Sequence, residues 1–387
     1  MMNNRLMPYN WQQPDWPGFS YEIKHLDPLL IQYAQLTGRL SGHLDGLPPE
    51  LKNDTLIEFM VNEALKSAKI EGEQLAFEDV HSSIRNQLGL NAHKTLVQDN
   101  RAQGIAQMML NLTDTIPEPL SENMLFEWHR MLFLGQEKNR RLEIGQWRQH
   151  EDSMQIVSGA YGKWTVHFEA PPSARVSVEM QGFIKWFNAT GPKGSHPIIH
   201  APIRSAIAHL YFESIHPFED GNGRIGRAVA EKALLQQSPF INVLNLSTAI
   251  EAKKSAYYEA LKKGQRRNQI TPWLEYFVKT LLTAQKMAES TVIFIINKSI
   301  FRKKALTLVS ERQLKVIDRL LKEGPAGFAG GLTAKKYETI GQCSKATATR
   351  ELADLLEKGF LLKLPGGGRN TAYQLNLASP ESPVSSA

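Results

Sequence analysis

The chain has 387 residues, of which 42% are hydrophobic and 22% are charged, which is typical of a soluble globular protein with two or three domains. Its formal net charge of +6 and pI near 9.1 fit the binding of ATP or of nucleic acid and do not decide between them. The single cysteine, Cys343, excludes an internal disulfide and a cysteine-rich zinc site. Because there is also no secretory signal and no membrane-spanning apolar run, we expect a cytoplasmic protein.

The N-terminal part of the chain is predicted to be helical after an irregular start. Residues 1–25 are rich in Trp and Pro. We expect their aromatic side chains to pack as a strap on the first helices, with a loose arm as the alternative. Apolar residues recur at helical spacing over residues 26–44, and a second helix follows over about 50–69. It ends in Ser67–Gly72, which reads Ser-Ala-Lys-Ile-Glu-Gly; the glycine is the expected C-cap, and a carboxylate such as Glu71 is by itself most often solvated.

The hydrophobic period changes in the middle of the chain. Residues 80–134 are predicted to be mostly helical. Between Gly145 and Pro172 apolar and polar residues alternate, with a glycine-containing stretch at 159–162 between the two alternating runs. This pattern is typical of a β-hairpin, and its plain interpretation is a hairpin on the surface of a helical protein.

A loop between two apolar helical runs carries most of the chemistry of the chain. Residues 216–227 read His-Pro-Phe-Glu-Asp-Gly-Asn-Gly-Arg-Ile-Gly-Arg and lie between helical runs at 201–215 and 225–236. His216 can accept a proton near neutral pH. Asp220 supplies hard oxygen ligands of the kind that Mg²⁺ prefers.

The remainder of this loop is suited to an anion. Gly221, Asn222 and Gly223 allow the backbone to turn its N–H groups into a concave nest at a helix N-terminus. Arg224 and Arg227 add two forked cationic donors three residues apart. Together with a base and a metal ligand, these features predict phosphoryl or nucleotidyl transfer. A Walker A loop is excluded because no Lys-Ser/Thr pair follows the glycines.

The loop resembles the signature of the Fic family, enzymes that move AMP from ATP onto protein hydroxyls. The match covers the full pattern His-Pro-Phe-x-Asp-Gly-Asn-Gly-Arg-x-x-Arg, and similarity extends from roughly Glu50 to Lys279. The resemblance implies a mainly α fold, a Fic-type helical bundle with a β-hairpin flap. It implies that the hairpin at 153–170 clamps a target protein as an added edge strand.

The resemblance also assigns roles to site residues. It implies ATP as substrate, His216 as the base and Asp220 as the ligand of Mg²⁺. It implies that the phosphates bind at Gly221, Asn222, Gly223, Arg224 and Arg227. Tyr258 would lie beside the nucleotide, while Gln265 stands where some relatives have Asn, which leaves the nucleobase open. Arg148 resembles a family position with a structural role.

Ser67–Gly72 resembles the inhibitory motif of autoinhibited Fic proteins, Ser/Thr-x-x-x-Glu-Gly. There the Glu pairs with the second arginine of the loop, which corresponds to Arg227. A carboxylate on that guanidinium would occupy the donors that hold the γ-phosphate. The resemblance therefore implies that Glu71 inhibits this chain from its own N-terminal region.

The C-terminal part of the chain resembles a winged helix. Helices are predicted at 311–322, 333–340 and 344–358, followed by a two-stranded wing with a glycine tip. Short polar residues with Lys345 and Arg350 suit a recognition helix, and Arg369 suits a phosphate contact from the wing. DNA binding through 344–369 and contact with another protein remain equal alternatives.

These patterns predict five segments along the chain. We expect an N-terminal helical region at 1–110, a Fic catalytic core at 111–286, a connecting helix at 287–303, a winged helix at 304–378 and a disordered tail at 379–387. The first hypothesis for function is a protein adenylyltransferase that modifies Ser, Thr or Tyr of a target and itself. The alternatives are a DNA-binding regulator that uses the Fic core as a nucleotide sensor, a transferase with another nucleotide donor, and the reverse, de-AMPylating reaction. A homodimer is also left open.

Overall fold

The computed structural model describes residues 8–91, 93–136, 142–158, 164–237, 245–324, 328–365 and 371–377. The chain is mainly helical, as predicted, and divides into two compact units, Met1–Ala288 and Glu289–Ala387. None of the described helices is both long and apolar enough to cross a membrane. The predicted hairpin turn at 159–162, Arg369 and the predicted tail at 379–387 lie outside the described residues.

The first unit is made mostly of helices, and a large hydrophobic core lies among those between residues 49 and 235. The bounds of the helices are α1 Asp27–Asp45, α2 Pro49–Ile70, α3 Phe77–Gln87, α4 Asn100–Asp114, α5 Glu122–Leu132, α6 Ser173–Ala189, α7 Ala201–Ile215, α8 Asn222–Leu235, α9 Leu246–Ala252, α10 Lys254–Gly264 and α11 Thr271–Leu308, the last of which runs past Ala288.

The centre of this unit is α7. All 15 of its residues are buried, as in a helix surrounded by others, and its polar residues Arg204, His209 and Glu213 are buried with the apolar ones. It lies along α8 and packs against α6. Fully buried rings in the core around it include Trp128, Phe183, Phe187 and Phe218. The loop that joins α7 to α8 is therefore anchored in the core at both ends.

The N-terminal segment is a strap, but it does not lie on the first helices. Trp11 Nε1 donates to the carbonyl of Glu169 at 2.7 Å, and Trp16 Nε1 donates to Glu179 on α6 at 2.9 Å. The Trp16 ring also packs edge-on against Tyr211 of α7. Each indole N–H needs an acceptor when it is covered, and these acceptors belong to the hairpin and to α6, which corrects the predicted position of the strap.

The predicted hairpin is present. Strands β1 (Gln155–Ser158) and β2 (Thr165–Glu169) pair antiparallel, from Gln155 opposite Glu169 to Ser158 opposite Thr165. The register shifts between Ile156 and Val157, as in a β-bulge, which bends a strand locally.

Two helix boundaries lie near the end of the first unit. Lys253 separates α9 from α10, because its backbone leaves the helical region (φ −135°). The connecting helix predicted at 287–303 is not a separate helix but part of α11, which begins within the region predicted as the catalytic core. Neither Gly nor a Pro beyond its second residue interrupts that sequence, so nothing in it breaks the helical hydrogen bonding.

The second unit has its own core. It contains α12 Glu311–Leu321, β3 Leu332–Thr333, α13 Ala334–Gly341, α14 Lys345–Glu357, β4 Leu361–Lys363 and β5 Ala372–Leu375. The strands form an antiparallel sheet in the order β3-β5-β4. Its core side chains include Val316, Ile317, Leu352, Leu355 and Phe360. This order of helices and strands is the one that a winged helix requires, and the assignment stays a prediction.

Candidate active site

The predicted active loop is a tight connection between α7 and α8. His216 ends α7 in the left-handed backbone region, with φ 51° and ψ 61°. Such a conformation costs a non-glycine residue roughly 1–2 kcal/mol. Gly221 precedes α8 with φ 81°, where glycine carries no such cost. The loop thus uses two left-handed residues, and only one of them is a glycine.

Asn222 closes the loop with its side chain. Its Oδ1 accepts from the N–H of Phe218 at 2.9 Å, and its Nδ2 donates to the Phe218 carbonyl at 2.7 Å. The Phe218 ring is fully buried in the core. Because both ends of the amide are used, Asn222 can offer an anion its backbone N–H but not its side chain.

His129 on α5 contacts the loop through its ring, and the sequence interpretation did not identify it. Its Nδ1 accepts from the N–H of Gly145 at 2.9 Å, so Nε2 carries the hydrogen and donates to the carbonyl of Asp220 at 3.1 Å. Its ring stacks on Phe218 with centroids 4.2 Å apart. Burial lowers the pKa of His129 to about 4, so the ring is neutral at physiological pH. The sequence feature that could have identified this role is a single histidine within a run of helical periodicity.

Arg148 also fixes the backbone of the loop by hydrogen bonding. Its Nε donates to the carbonyl of His216 at 2.9 Å, and its Nη1 donates to Ser173 at 2.9 Å. It is 1% exposed, and burial lowers its pKa to about 10. The guanidinium remains charged and fixes the backbone of His216, in line with the structural role that its sequence position suggested.

The N-terminus of α8 has the features of an anion-binding site. The first intrahelical amide donor is Ile225, whose N–H reaches the Gly221 carbonyl at 3.0 Å. The N–H groups of the first three helical residues, Asn222 to Arg224, are therefore free of intrahelical acceptors. A Cβ atom at Gly223 would lie only 2.3 Å from Glu71 Oε1. Glycine is needed there because a carboxylate approaches the backbone at the position suited to a phosphate.

Arg227 is fully engaged by the Ser67–Gly72 segment. Its Nη1 donates to Glu71 Oε1 at 2.8 Å, its Nε to Ser67 Oγ at 3.0 Å and its Nη2 to the Ser67 carbonyl at 2.9 Å. The Arg227 side chain is 2% exposed. The structure thus brings together the two residues, Glu71 and Arg227, that the sequence resemblance paired.

A second acid, which the sequence interpretation missed, pairs with Arg224. Glu73 Oε1 accepts from Arg224 Nη1 at 2.7 Å, and the other side of that guanidinium lies 3.6 Å from Asp220 Oδ1. Glu71 and Glu73 therefore occupy both arginines of the loop. The sequence feature that could have identified Glu73 is Glu-Gly-Glu, in which a second acid follows Glu71 after one glycine.

The end of α2 explains how two acids two residues apart reach two different arginines. The N–H of Glu73 bonds to the carbonyl of Ala68 at 3.1 Å, and the N–H of Gly72 bonds to that of Lys69 at 3.0 Å. Gly72 has φ +86°. These are the bonds of a Schellman C-cap, in which the left-handed glycine reverses the chain and returns Glu73 toward α8.

A cavity of about 530 Å³ opens beside the loop. His216, Asp220 and Glu71 line one side, and the hairpin lines another through Val157 and Phe168. The predicted nucleotide contact Tyr258 also lines it, with 41% exposure. The volume and the mixed lining suit a small ligand bound in an open cleft.

Asp220 is the one predicted metal ligand. Its side chain is 64% exposed, and its Oδ1 accepts from the N–H of Gly221 at 2.6 Å. No group of three or more His, Cys, Asp or Glu side chains suited to a metal occurs among the described residues. A single carboxylate beside an anion site fits Mg²⁺ that is held mainly by substrate phosphates and water, and does not fit a metal caged by the protein alone.

Two sequence families match this chain. Residues 119–234 match the Fic/DOC family, and residues 9–90 match a domain of unknown function, DUF4172. The "Protein adenylyltransferase Fic" of Drosophila virilis is 25% identical over 213 residues, which are 54% of this chain and 39% of that protein. The chain thus aligns with about two fifths of the length of this curated relative.

Two solved structures share the fold. A Fic family protein from Desulfovibrio desulfuricans G20 has a TM-score of 0.51 at 22% identity, covering 90% of this chain and 96% of that one. A Fic domain containing signaling protein from Bacteroides thetaiotaomicron VPI-5482 has a TM-score of 0.51 at 20% identity, covering 67% of this chain and 96% of that one. Identities at this level establish the fold alone.

Proposed function

Because this chain contains a Fic/DOC family domain at residues 119–234, we propose that it is a protein adenylyltransferase that is held inactive by Glu71. The observation that carries the proposal is the position of one carboxylate. Glu71 Oε1 lies 2.8 Å from Arg227 Nη1 and against the backbone of Gly223. A negative group on a guanidinium fork and at a helix N-terminus marks a phosphate site.

The anion-binding groups would hold the triphosphate of ATP. The free N–H groups at the start of α8 and the Arg224 guanidinium would bind the inner phosphates, and Arg227 would bind the γ-phosphate. Asp220 would hold Mg²⁺, which neutralises phosphate charge when bound. Tyr258 would lie beside the nucleoside in the cavity. All of these groups lie on α8, on the loop before it or on α10.

The transfer itself would use His216. The oxygen of a target Ser, Thr or Tyr attacks the α-phosphorus, the bond from that phosphorus to the pyrophosphate oxygen breaks, and His216 takes the proton of the hydroxyl. The hairpin lines the cavity through Ile156, Val157 and Phe168. A target segment that pairs with the hairpin edge would have its hydroxyl aligned by main-chain hydrogen bonds.

Glu71 would act by occupying the site. It neutralises Arg227 and places negative charge where the triphosphate must enter, so ATP can bind productively only after Glu71 leaves. Because Glu71 ends α2 within the same chain, the inhibition would be intramolecular.

The first test uses Mg²⁺ and ATP labelled at the α-phosphate. We expect little label on the wild-type protein, clearly more on Glu71→Ala, and none on the double variant Glu71→Ala/His216→Ala, since loss of a general base typically costs ~10²–10⁴ in rate. Glu58→Ala, at an exposed position on the same helix, serves as the matched control and should behave as wild type. Equal labelling of Glu71→Ala and wild type would remove the inhibitory role.

Two further arms separate the enzymatic alternatives. GTP and UTP with the same α-label test the nucleotide donor. Pre-labelled protein incubated without ATP tests the reverse reaction, because release of AMP in wild type but not in His216→Ala would favour de-AMPylation. Label from ATP alone, without such release, supports the forward reaction with an adenine donor.

We also propose DNA binding by the second unit as a second candidate function. The exposed face of α14 carries Lys345 and Arg350. Two of its acids are engaged elsewhere, since Glu351 accepts from Tyr337 at 2.7 Å and Asp354 accepts from Gln313 at 2.6 Å, and the third, Glu357, lies at its C-terminal end. This leaves a basic face with small residues, which suits close approach to a duplex.

A further inference from the structure

A further acid, Glu213, lies next to the loop that carries His216 and is among the residues that line the cavity. Glu213 belongs to the last turn of α7 and is 4% exposed. Its Oε2 lies 3.6 Å from His216 Nδ1. Among the described residues, neither Glu213 Oε1 nor His216 Nδ1 has a hydrogen-bond partner. Buried polar atoms are normally paired, so an unpaired ring nitrogen next to a carboxylate calls for an explanation.

The burial of Nδ1 decides which nitrogen of His216 can act. His216 lines the cavity, while its Nδ1 is enclosed. A base that takes a proton must present a nitrogen that carries no hydrogen. With Nδ1 turned to the interior, Nε2 is the nitrogen that can meet a hydroxyl in the cavity. The productive tautomer therefore carries its hydrogen on Nδ1, next to Glu213.

We propose that Glu213 is a positioning residue whose carboxylate accepts the Nδ1–H of His216, fixes this tautomer and stabilises the imidazolium formed during transfer. The inference rests on the proposed adenylyl transfer. In that step the hydroxyl proton moves to Nε2 as the new oxygen–phosphorus bond forms and pyrophosphate leaves, and Glu213 exchanges no proton. The present separation of 3.6 Å is longer than a hydrogen bond, as is common before substrate is bound.

Glu213 is ionised in this environment. Burial alone would raise its pKa, but His216, His209 and Arg227 outweigh burial and lower the pKa of Glu213 overall. Arg227 keeps its charge at every relevant pH. The group beside His216 is therefore a carboxylate, which is the form that can accept a hydrogen bond and stabilise a cation.

The position of Glu213 is fixed by its neighbours. A Cβ atom at Gly226 would lie 2.2 Å from Glu213 Oε1, so glycine leaves the space that the carboxylate fills. The carbonyl of Glu213 accepts from Gln265 Nε2 at 3.0 Å. Gln265, where the sequence departs from some relatives, thus supports the helix turn beneath His216.

The test compares Glu71→Ala with Glu71→Ala/Glu213→Gln, which removes the charge and keeps the shape. We expect the maximal rate of labelling to fall by roughly tenfold or more, while the Kd for a fluorescent ATP analogue stays within about twofold. Glu127→Gln, an exposed change on α5, should leave both values unchanged. If Glu213→Gln does not fold, Glu213→Asp keeps the charge but retracts it, and should likewise slow transfer without weakening ATP binding.

A second measurement needs no substrate. Nitrogen-15 NMR of the full chain, with the His216 signal identified by its loss in His216→Gln, reports which ring nitrogen carries the hydrogen. We expect the Nδ1–H tautomer in the parent protein and a mixture in Glu213→Gln. An unchanged tautomer together with an unchanged rate would overturn the proposal. If no variant incorporates label, the transfer reaction is wrong, and the tautomer still decides the role of Glu213.

Discussion

Single residues in the active loop divide into those that build it and those that face the cavity. Asn222 uses both ends of its amide on the backbone of Phe218, His129 holds the carbonyl of Asp220, and Arg148 holds that of His216. In the proposed transfer, the chemistry would then fall to His216, to the N–H groups at the start of α8 and to two arginines. The strained backbone of His216 is maintained because buried neighbours fix it on both sides.

At the residue scale we predict that Glu73 is a second inhibitory contact. Glu71→Ala leaves Arg224 paired with Glu73, so Glu71→Ala/Glu73→Ala should incorporate label from ATP faster than Glu71→Ala. A partly exposed ion pair is worth about 0.2–1 kcal/mol, which corresponds to a roughly 1.5- to fivefold effect on the apparent affinity for ATP. Glu71→Ala/Glu78→Ala, which changes an exposed acid at the start of α3, is the control. Equal ATP dependence in both double variants would contradict the prediction.

At the scale of elements, α2, which carries the proposed inhibitory Glu71, is held by more than its last turn. Glu63 on α2 accepts from the N–H of Ser247, at the start of α9, with both carboxylate oxygens at 2.9 and 3.0 Å. Burial raises the pKa of Glu63 to about 7, opposed by its hydrogen bonds and by Arg227. Burial and Glu63 also raise the pKa of Glu231. The contact of α2 with α8 and α9 therefore contains titratable acids.

This arrangement predicts the sign of a pH effect on stability. Glu63 binds its proton more tightly in the folded than in the unfolded chain, so its contribution to stability is complete below about pH 4.5 and declines as the pH rises through about 7. In Glu63→Gln, thermal unfolding between pH 5 and 8 should show a flatter decline of Tm than in wild type, with a higher Tm at pH 8. Glu58→Gln on the same helix should keep the wild-type profile. Parallel profiles for wild type and Glu63→Gln would contradict the assignment.

At the scale of the whole molecule, the chain divides into two compact units, and the described residues of each include a hydrophobic core. The first unit contains the cavity, the loop, and Glu71 and Glu73. The second unit contains a helix with a basic exposed face and a three-stranded sheet. Two cores allow two activities, so DNA binding by the second unit would not exclude catalysis by the first. The predicted winged helix and homodimer stay predictions.

The DNA-binding candidate predicts a salt-dependent affinity of the full chain for duplex DNA. Lys345→Ala and Arg350→Ala should each weaken binding and reduce the slope of log K against log salt by about 1, if the residue contacts a phosphate. Lys315→Ala, which removes an exposed positive charge from α12, is the control. An equal loss of affinity in this variant would mean that net charge, and not contact through α14, is responsible for binding. Absence of DNA binding at low salt would limit this unit to protein contacts.

The sequence by itself determined the helical class, the hairpin and the composition of the loop, because periodicity and a dense motif are local properties of the chain. It also suggested Glu71 as the partner of Arg227 through family resemblance. It could not decide which groups complete the site, because the roles of His129 and Glu73 depend on contacts across 91 and 151 residues. That of Glu213 depends on the turn at the end of α7, which places its carboxylate 3.6 Å from His216 Nδ1. Only the tertiary structure decided that Asn222 builds the loop, that the N-terminal strap lies on the hairpin and α6, and that both arginines are already paired. Those outcomes depend on which buried donors and acceptors meet, and no local pattern encodes that.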